Sequence, residues 1–207
     1  MTRIDRIVTH GTFELDGGSW EVDNNIWLIG DDTDVVVIDA AHDAAPILDA
    51  VAGRNVVAVV CTHGHNDHVT VAPQLGETLD APVLMHPADE VLWRMTHPDK
   101  EFRALDEDAV LHVGGIELRA IHTPGHSPGS TCVHAPELAA VFSGDTLFQG
   151  GPGATGRSYS DFPTILASIS QRLGKLPGGT VVYTGHGDTT TIEGELVNYD
   201  EWVARGH

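Results

Sequence analysis

Positive charge is what this chain has least of. Eleven Lys and Arg residues stand against thirty Asp and Glu, a formal charge of −19. Such a surface repels the phosphate backbone of nucleic acids and anionic bilayers, and the few basic residues are scattered rather than gathered into a patch. That excludes a nonspecific polynucleotide binder. Long apolar runs are also missing: no stretch approaches the roughly 18 residues of a membrane-spanning helix. The N-terminal MTRIDRIVTHGTFELDG lacks the cationic start, apolar segment and small-residue cleavage site of a signal peptide, so a cytoplasmic protein without a membrane partner is expected. Cysteine is scarce too. Cys61 and Cys132 both lie in strand-like segments, which reads as two small buried hydrophobes rather than a disulfide. With no low-complexity tract, linker or internal repeat, residues 1–207 are expected to form one domain.

What is present is a series of β-branched runs. Asn25–Ile29 and Val35–Ile38 flank GDDTD, a hairpin turn, and Asn55–Val60 is a continuously apolar, buried strand. Further strands are expected at APVLM, AVLHV, IELRAIHT, STCVHA, AAVFSG and GTVVYTG. Helices are expected at Ala44–Val51, across VTVAPQLGETL, at PADEVLWRM with Pro87 at its start, from about Phe162 to Leu173, and around Glu193–Val203. Thr96–Asp108 is polar and reads as a surface excursion. Strands followed by helices, repeated once, point to two facing sheets with helices outside.

The chemistry is concentrated in CTHGHNDH, which begins at Cys61 where the Asn55–Val60 strand ends. His63 and His65, two residues apart, can point the same way in extended backbone. Asp67 and His68 fall where the chain turns into a helix and serve a second point nearby, so the spacing favours a pair of metals. Imidazole and carboxylate suit zinc, manganese or iron, and the absence of cysteine from the cluster argues against a closed thiolate site. His126 in TPGHSPGS, Asp145 in FSGDTLF and His186 in YTGHGDT also lie at strand ends beside glycines. Together these residues would give five histidines and two aspartates, with Asp145 the economical bridge between two ions. His122 competes with His126, and spacing does not separate them. His10, His42, His97, His112, His134 and His207 are read as solvent-exposed or hydrogen-bonded, His86, which follows a strand, as a weaker candidate to reach the cleft, and Trp93 and Trp202 as packing residues.

The ordered set HGHNDH, TPGHSPGS, FSGDTLF and TGHGDTTTI resembles the metallo-β-lactamase-fold hydrolases, and within them the small glyoxalase II-like (hydroxyacylglutathione hydrolase-like) proteins. The resemblance implies an α/β αββα sandwich with a dinuclear site at one edge. It implies that His63, His65 and His126 hold a first metal and Asp67, His68 and His186 a second, with Asp145 bridging. It favours His126 over His122, because the ligand is the histidine preceded by Pro-Gly. Lactamases of this fold usually differ at the positions of Asp145 or His68, so the match implies a thioester hydrolase using two divalent ions, zinc first and iron or manganese as substitutes. The hydroxyacylglutathione hydrolases carry a C-terminal helical extension that holds glutathione. About twenty residues follow His186 here, so a small thiol other than glutathione is expected as the carrier.

In that chemistry a hydroxide bridging two metals attacks the acyl carbon, Asp67 accepts its hydrogen bond, and the thiolate leaves with little acid assistance. Arg157 and Tyr159, in the glycine-rich loop Phe148–Asp161 that runs out of the Asp145 strand, are the expected substrate contacts, with Trp20, Asn24 and Asn25 as further cleft-wall residues. The same scaffold also serves lactone hydrolysis and iron-dependent persulfide dioxygenation. Oligomeric state is left open.

Overall fold

The first two strands are the longest elements. In a computed structural model describing residues 1–206, β1 (Arg3–Leu15) pairs antiparallel with β2 (Gly18–Gly30) from Arg3↔Gly30 to Leu15↔Gly18. β1 lies outside the strands expected from the sequence. Its signal is the Asp16-Gly17 pair, which takes φ of 53° and 76° as a two-residue hairpin turn requires, following the alternate burial of Ile7, Thr9, Gly11, Phe13 and Leu15.

β2 continues through the GDDTD turn into β3 (Asp34–Ile38), with Asp31 accepting from the backbone N–H groups of Thr33 and Asp34. Helix α1 (Ala44–Val51), capped by Asp43, returns the chain to β4 (Asn55–Val60), parallel to β3. Then come α2 (Asn66–Val69) and α3 (Ala72–Leu79), β5 (Val83–Met85), α4 (Glu90–Thr96) and β6 (Arg103–Ala104). The helix expected across VTVAPQLGETL is thus two: Pro73 opens α3, while α2 starts inside the histidine motif. The excursion expected at Thr96–Asp108 contains the last strand of this sheet, and Leu105 just beyond it is buried. The first sheet has the order β1-β2-β3-β4-β5-β6.

The second sheet is built from β7 (Val110–Val113), β8 (Ile116–His122), β9 (Thr131–Ala135) and β10 (Ala140–Gly144). β11 (Leu147–Phe148) and β12 (Gly151–Pro152) pair apart from it, and α5 (Phe162–Gln171) leads to β13 (Val181–Thr184) and β14 (Thr190–Thr191). Its order is β14-β13-β10-β9-β8-β7, with β13 parallel to β10. The expected final helix is broken at Val197–Asn198 into α6 (Ile192–Leu196) and α7 (Tyr199–Arg205).

Alternation along the strands places three apolar layers. Val36, Ile38, Ala58 and Val60 face Leu118, Val133 and Phe142 between the sheets. Their neighbours Val35, Val37 and Val59 face outward onto Ile47, Leu75 and Trp93. Cys132, Val141 and Val182 face Ile165, Ile169 and Trp202 on the other side. The central strands are buried on both faces, which is why they read as unbroken apolar runs. This is an αββα sandwich, two mixed sheets flanked by helices. Among the described residues both cysteines are free and buried, and no helix is long and apolar enough to cross a membrane. His207 lies outside the described residues.

Candidate metal centre

Carboxyl ends of strands from both sheets deliver the polar motifs to one edge of the sandwich. β4 ends at Val60, two residues before Thr62 and three before His63; β10 ends at Gly144, directly before Asp145; β13 ends at Thr184, two residues before His186. His126 comes from the loop between β8 and β9. The two sheets are tied there by Asn25, whose backbone N–H donates to Gly185 O (2.8 Å) and whose side chain donates to Thr184 O (2.9 Å) and Gly187 O (3.0 Å). Gly185 is required by close approach: a Cβ there would lie 2.2 Å from Asp145 Oδ1 and 2.9 Å from His68 Cε1.

All seven residues singled out in the sequence converge. They form three overlapping groups whose ligand atoms lie within 4.8 Å of one another: His63, His65 and His126; His63, His68 and Asp145; Asp67, His68 and His186. His63 Nε2 and His126 Nε2 each lie 3.0 Å from His65 Nδ1, and His68 Nε2 lies 3.3 Å from His186 Nε2. Asp145 reaches both sides, with Oδ1 3.3 Å from His68 Nε2 and Oδ2 3.4 Å from His186 Nε2 and 3.6 Å from His126 Nε2. An edge of a tetrahedron built on metal–nitrogen bonds of about 2.0–2.1 Å is roughly 3.3 Å, so these spacings suit shared coordination.

The outer nitrogens decide which lone pairs face inward. The Nδ1–H of His68 donates to Asp39 Oδ2 (2.9 Å), that of His126 to Ala154 O (2.8 Å) and that of His186 to Asp23 O (2.7 Å). His63 Nδ1 meets Thr62 Oγ1 at 3.1 Å, and that hydroxyl donates to Asp39 Oδ2 at 3.0 Å. These four rings are therefore held with Nε2 pointing toward the centre, the orientation metal-ligating histidines use once any proton on that nitrogen is displaced. His65 is turned the other way, Nδ1 inward, its ring meeting Phe13 edge-on at 5.1 Å. Oδ1 of Asp67 and Oδ1 of Asp145 are buried without a hydrogen-bond partner. Buried carboxylates beside inward imidazole nitrogens, with no Lys or Arg among them, are a donor set that divalent cations fit.

The electrostatics of the metal-free cluster follow from its crowding. Burial, followed by the neighbouring imidazole of His126, pushes His65 down to about 3. Burial also opposes charge on His186, but the carboxylates of Asp145 and Asp67 outweigh it and hold that ring at about 10. Burial would raise Asp67; His68 and His186 prevail and hold it at about 2. His68 is raised in the same way, the carboxylates of Asp145, Asp67 and Asp39 overcoming burial.

Above the cluster opens a pocket of about 300 Å³ whose walls are Phe13, Trp20, Val22, Phe148 and Ala154, with Arg157 at its side. Arg157 does not pair with Asp161, which caps α5; its guanidinium lies 3.7 Å over the Trp20 ring. Tyr159, expected beside it, does not line the pocket: it sits at φ 70° with 45% of its surface exposed. Asn24 is buried against the metal-side residues, its amide donating to Asp67 Oδ2 (3.1 Å) while Oδ1 accepts from His42 (2.8 Å). His122 and His86 stack on each other at 3.9 Å, apart from the cluster.

Two residues were missed in the sequence. Asp39, at the end of β3, accepts from Thr62 and His68; its only signal was an acid directly after VVVI. Asp89 accepts from Gly64 N–H (2.8 Å), Ser127 Oγ (2.6 Å) and Gly129 N–H, joining the loop of His63 and His65 to that of His126. It carried no sequence signal.

Comparison with known proteins agrees with this construction. A hydroxyacylglutathione hydrolase of Aeromonas salmonicida is 34% identical over 166 residues, a match spanning 79% of this chain and 61% of that protein. The crystal structure of TTHA1623 in a di-iron-bound form superposes with a TM-score of 0.76 at 33% identity, covering 84% of this chain and 93% of the other. That of the BLEG-1 B3 metallo-β-lactamase gives 0.75 at 27% identity, covering 94% and 99%. The family model of the metallo-β-lactamase superfamily matches residues 20–186, a span that holds all seven converging donors, and the chain belongs to that superfamily.

Proposed function

We propose that this chain is a dinuclear metal-dependent hydrolase of small acyl thioesters. His63, His65 and His126 would hold one divalent ion and Asp67, His68 and His186 the other, with Asp145 placed within reach of both. The observation that carries this reading is the convergence of seven inward-facing donors, with Asp145 within 3.6 Å of histidines on both sides. Zinc suits the imidazole and carboxylate set; iron and manganese suit it as well.

Bound divalent ions supply Lewis acidity and lower the pKa of water from about 15.7 to about 7. Held at about 2, Asp67 stays ionised at neutral pH. Its Oδ2 is engaged by Asn24, which leaves the unpartnered Oδ1 to accept a hydrogen bond from the attacking water and orient it. The apolar walls hold the acyl chain and limit competing water. A thiolate leaving group, with a thiol pKa of about 8.5, needs little protonation. The similarity to a hydroxyacylglutathione hydrolase supports a hydroxyacyl thioester as the substrate class. The carrier is a low-molecular-weight thiol, and two unpaired buried cysteines suit a reducing, cytoplasmic setting.

The test is metal counting on protein purified without oxygen, followed by a panel of hydroxyacyl thioesters, lactones and persulfides. Two ions per chain and chelator-sensitive thioester cleavage are expected. One redox-active iron with oxygen consumption, or lactone cleavage without thioester cleavage, overturns the reading.

A further inference from the structure

We propose that Asn66 is a positioning residue, whose carboxamide clips the β1–β2 hairpin to the metal-side loop and thereby fixes the Phe13–Trp20 wall over the centre. The link to substrate binding rests on the thioesterase reading above; the clip itself does not.

Asn66 stands between His65 and Asp67 in HGHNDH, yet its side chain is spent on β1. Nδ2 donates to Thr12 O (2.8 Å) and Oδ1 accepts from the Glu14 N–H (2.8 Å). A carbonyl on one side and an N–H on the other admit one orientation of the amide. The two bonded groups flank Phe13, which pairs with Trp20 across the ladder. β1 is the edge of its sheet, so the carboxamide makes the pair of bonds that a residue of an adjoining strand would make there.

The hairpin needs such a tie. β2 pairs with β3 only from Trp27 to Gly30, so Ile7–Leu15 and Gly18–Ile26 reach past the third strand as a two-stranded ribbon. A ribbon of two strands is marginal on its own, and the placing of its far end falls to side-chain contacts. What that end carries is the pocket wall. The Phe13 ring meets the His65 ring edge-on at 5.1 Å and stacks on Trp20 at 5.6 Å, and all three line the pocket. His65 and Asn66, adjacent in the chain, therefore grip the same residue, one by its ring and the other by its flanking backbone. The Asn66 end is anchored in turn: Thr70 Oγ1 donates to Asn66 O, and the His68 N–H donates to His65 O (3.0 Å). At the hairpin turn the Ser158 N–H donates to Asp16 Oδ2 (3.0 Å), a second point of attachment.

The experiment uses the metal-loaded full chain and two variants. Asn66→Ala removes both bonds. Glu14→Pro removes one from the hairpin side without touching the ligand motif, and the N–H it deletes faces Asn66 rather than the β1–β2 ladder. Trp20 is 39% exposed, whereas Trp27, Trp93 and Trp202 are 4%, 0% and 2% exposed. Acrylamide quenching of the fluorescence therefore reads Trp20, and Trp20→Phe marks its share. In each variant quenching of Trp20 should rise, with metal content unchanged. KM for a hydroxyacyl thioester should rise roughly three- to thirty-fold while kcat stays within about two-fold, a split that general loss of stability would not produce. The effects should not add in the double variant, because the two substitutions cut one connection. Asn66→Ala decides alone if Glu14→Pro does not fold. Unchanged quenching and KM in Asn66→Ala, additive effects, or a loss confined to metal content overturns the proposal. Raised Trp20 quenching in the variants, with no thioester hydrolysed by the unaltered protein, would remove the thioesterase reading and leave the clip standing.

Discussion

Oδ2 of Asp39 lies 2.9 Å from Nδ1 of His68, with both side chains almost completely buried. The same carboxylate accepts from Thr62 Oγ1, whose oxygen meets His63 Nδ1, so one acid orients two neighbouring rings of the cluster. Partners of this kind typically carry ten- to hundred-fold in metal affinity. Asp39→Asn should therefore weaken metal retention by roughly that factor while leaving all seven donors in place. Competition with a chromophoric chelator measures it; unchanged affinity would show that the rings are oriented by other contacts.

Proton linkage gives a second outcome. His186 is raised to about 10 from its usual 6.5 in the metal-free cluster, and His68 is raised as well. Both rings carry protons at pH 7, and an ion must displace them to reach the nitrogens. Metal affinity should rise with pH from neutrality toward about 10, with proton release visible as a buffer-dependent heat when titrations are run in buffers of different ionisation enthalpy. In the metal-free protein the raised His186 stabilises the fold fully below about pH 6.5, and that contribution is lost as pH rises through about 10. Absence of proton release at pH 7 would contradict the electrostatic account.

The convergence of the seven donors was legible because motif spacing and strand-end position are local properties: three histidines and an aspartate within six residues already imply shared ligation. Strands β3, β4 and β10 were legible for a similar reason, since burial on both faces leaves unbroken apolar runs such as NVVAVV. β1 was not, because its edge position leaves Arg3, Arg6, His10 and Glu14 exposed between the half-buried residues, which dilutes the alternation. β6 is two residues long and exposed, too short for any pattern. Asp39 and Asp89 stayed hidden because their partners are distant, at separations of 23 and 29 residues for Asp39 and from 25 to 40 for Asp89. A buried acid is indistinguishable from a surface acid until the chain folds.

Asp89 itself supports a third prediction. Its carboxylate is fully buried and satisfies Gly64, Ser127 and Gly129. Truncation to Ala strands those donors, each at a cost of about 1–3 kcal/mol, and frees the His63–His65 loop from the His126 loop. Asp89→Ala should be strongly destabilised in denaturant titration and lose metal. Asp89→Asn, which keeps one acceptor oxygen, should fall between it and the unaltered protein. Equal stability of all three would mean that the loops are spaced by packing alone.

Gly185 separates positioning at the centre from general stability. A methyl group there would meet Asp145 Oδ1 at 2.2 Å, closer than real Cβ atoms come, with the ring of His68 at 2.9 Å and the backbone carbonyl carbon of Gly144 at 3.1 Å as its next neighbours. The nearest atom belongs to a side chain, so the clash is relieved by moving the Asp145 carboxylate, the group that reaches histidines on both sides. Overpacking of this kind costs about 1–3 kcal/mol, which leaves most of the fold's stability intact. Gly185→Ala should accordingly fold, with a modest fall in Tm, yet bind fewer than two metals per chain and lose most hydrolysis. Metal analysis of the purified variant alongside its thermal transition distinguishes the cases. Full metal occupancy would show that Asp145 tolerates displacement and is not the bridge, whereas failure to fold would place the cost of the methyl group in the strand-end backbone rather than in the carboxylate.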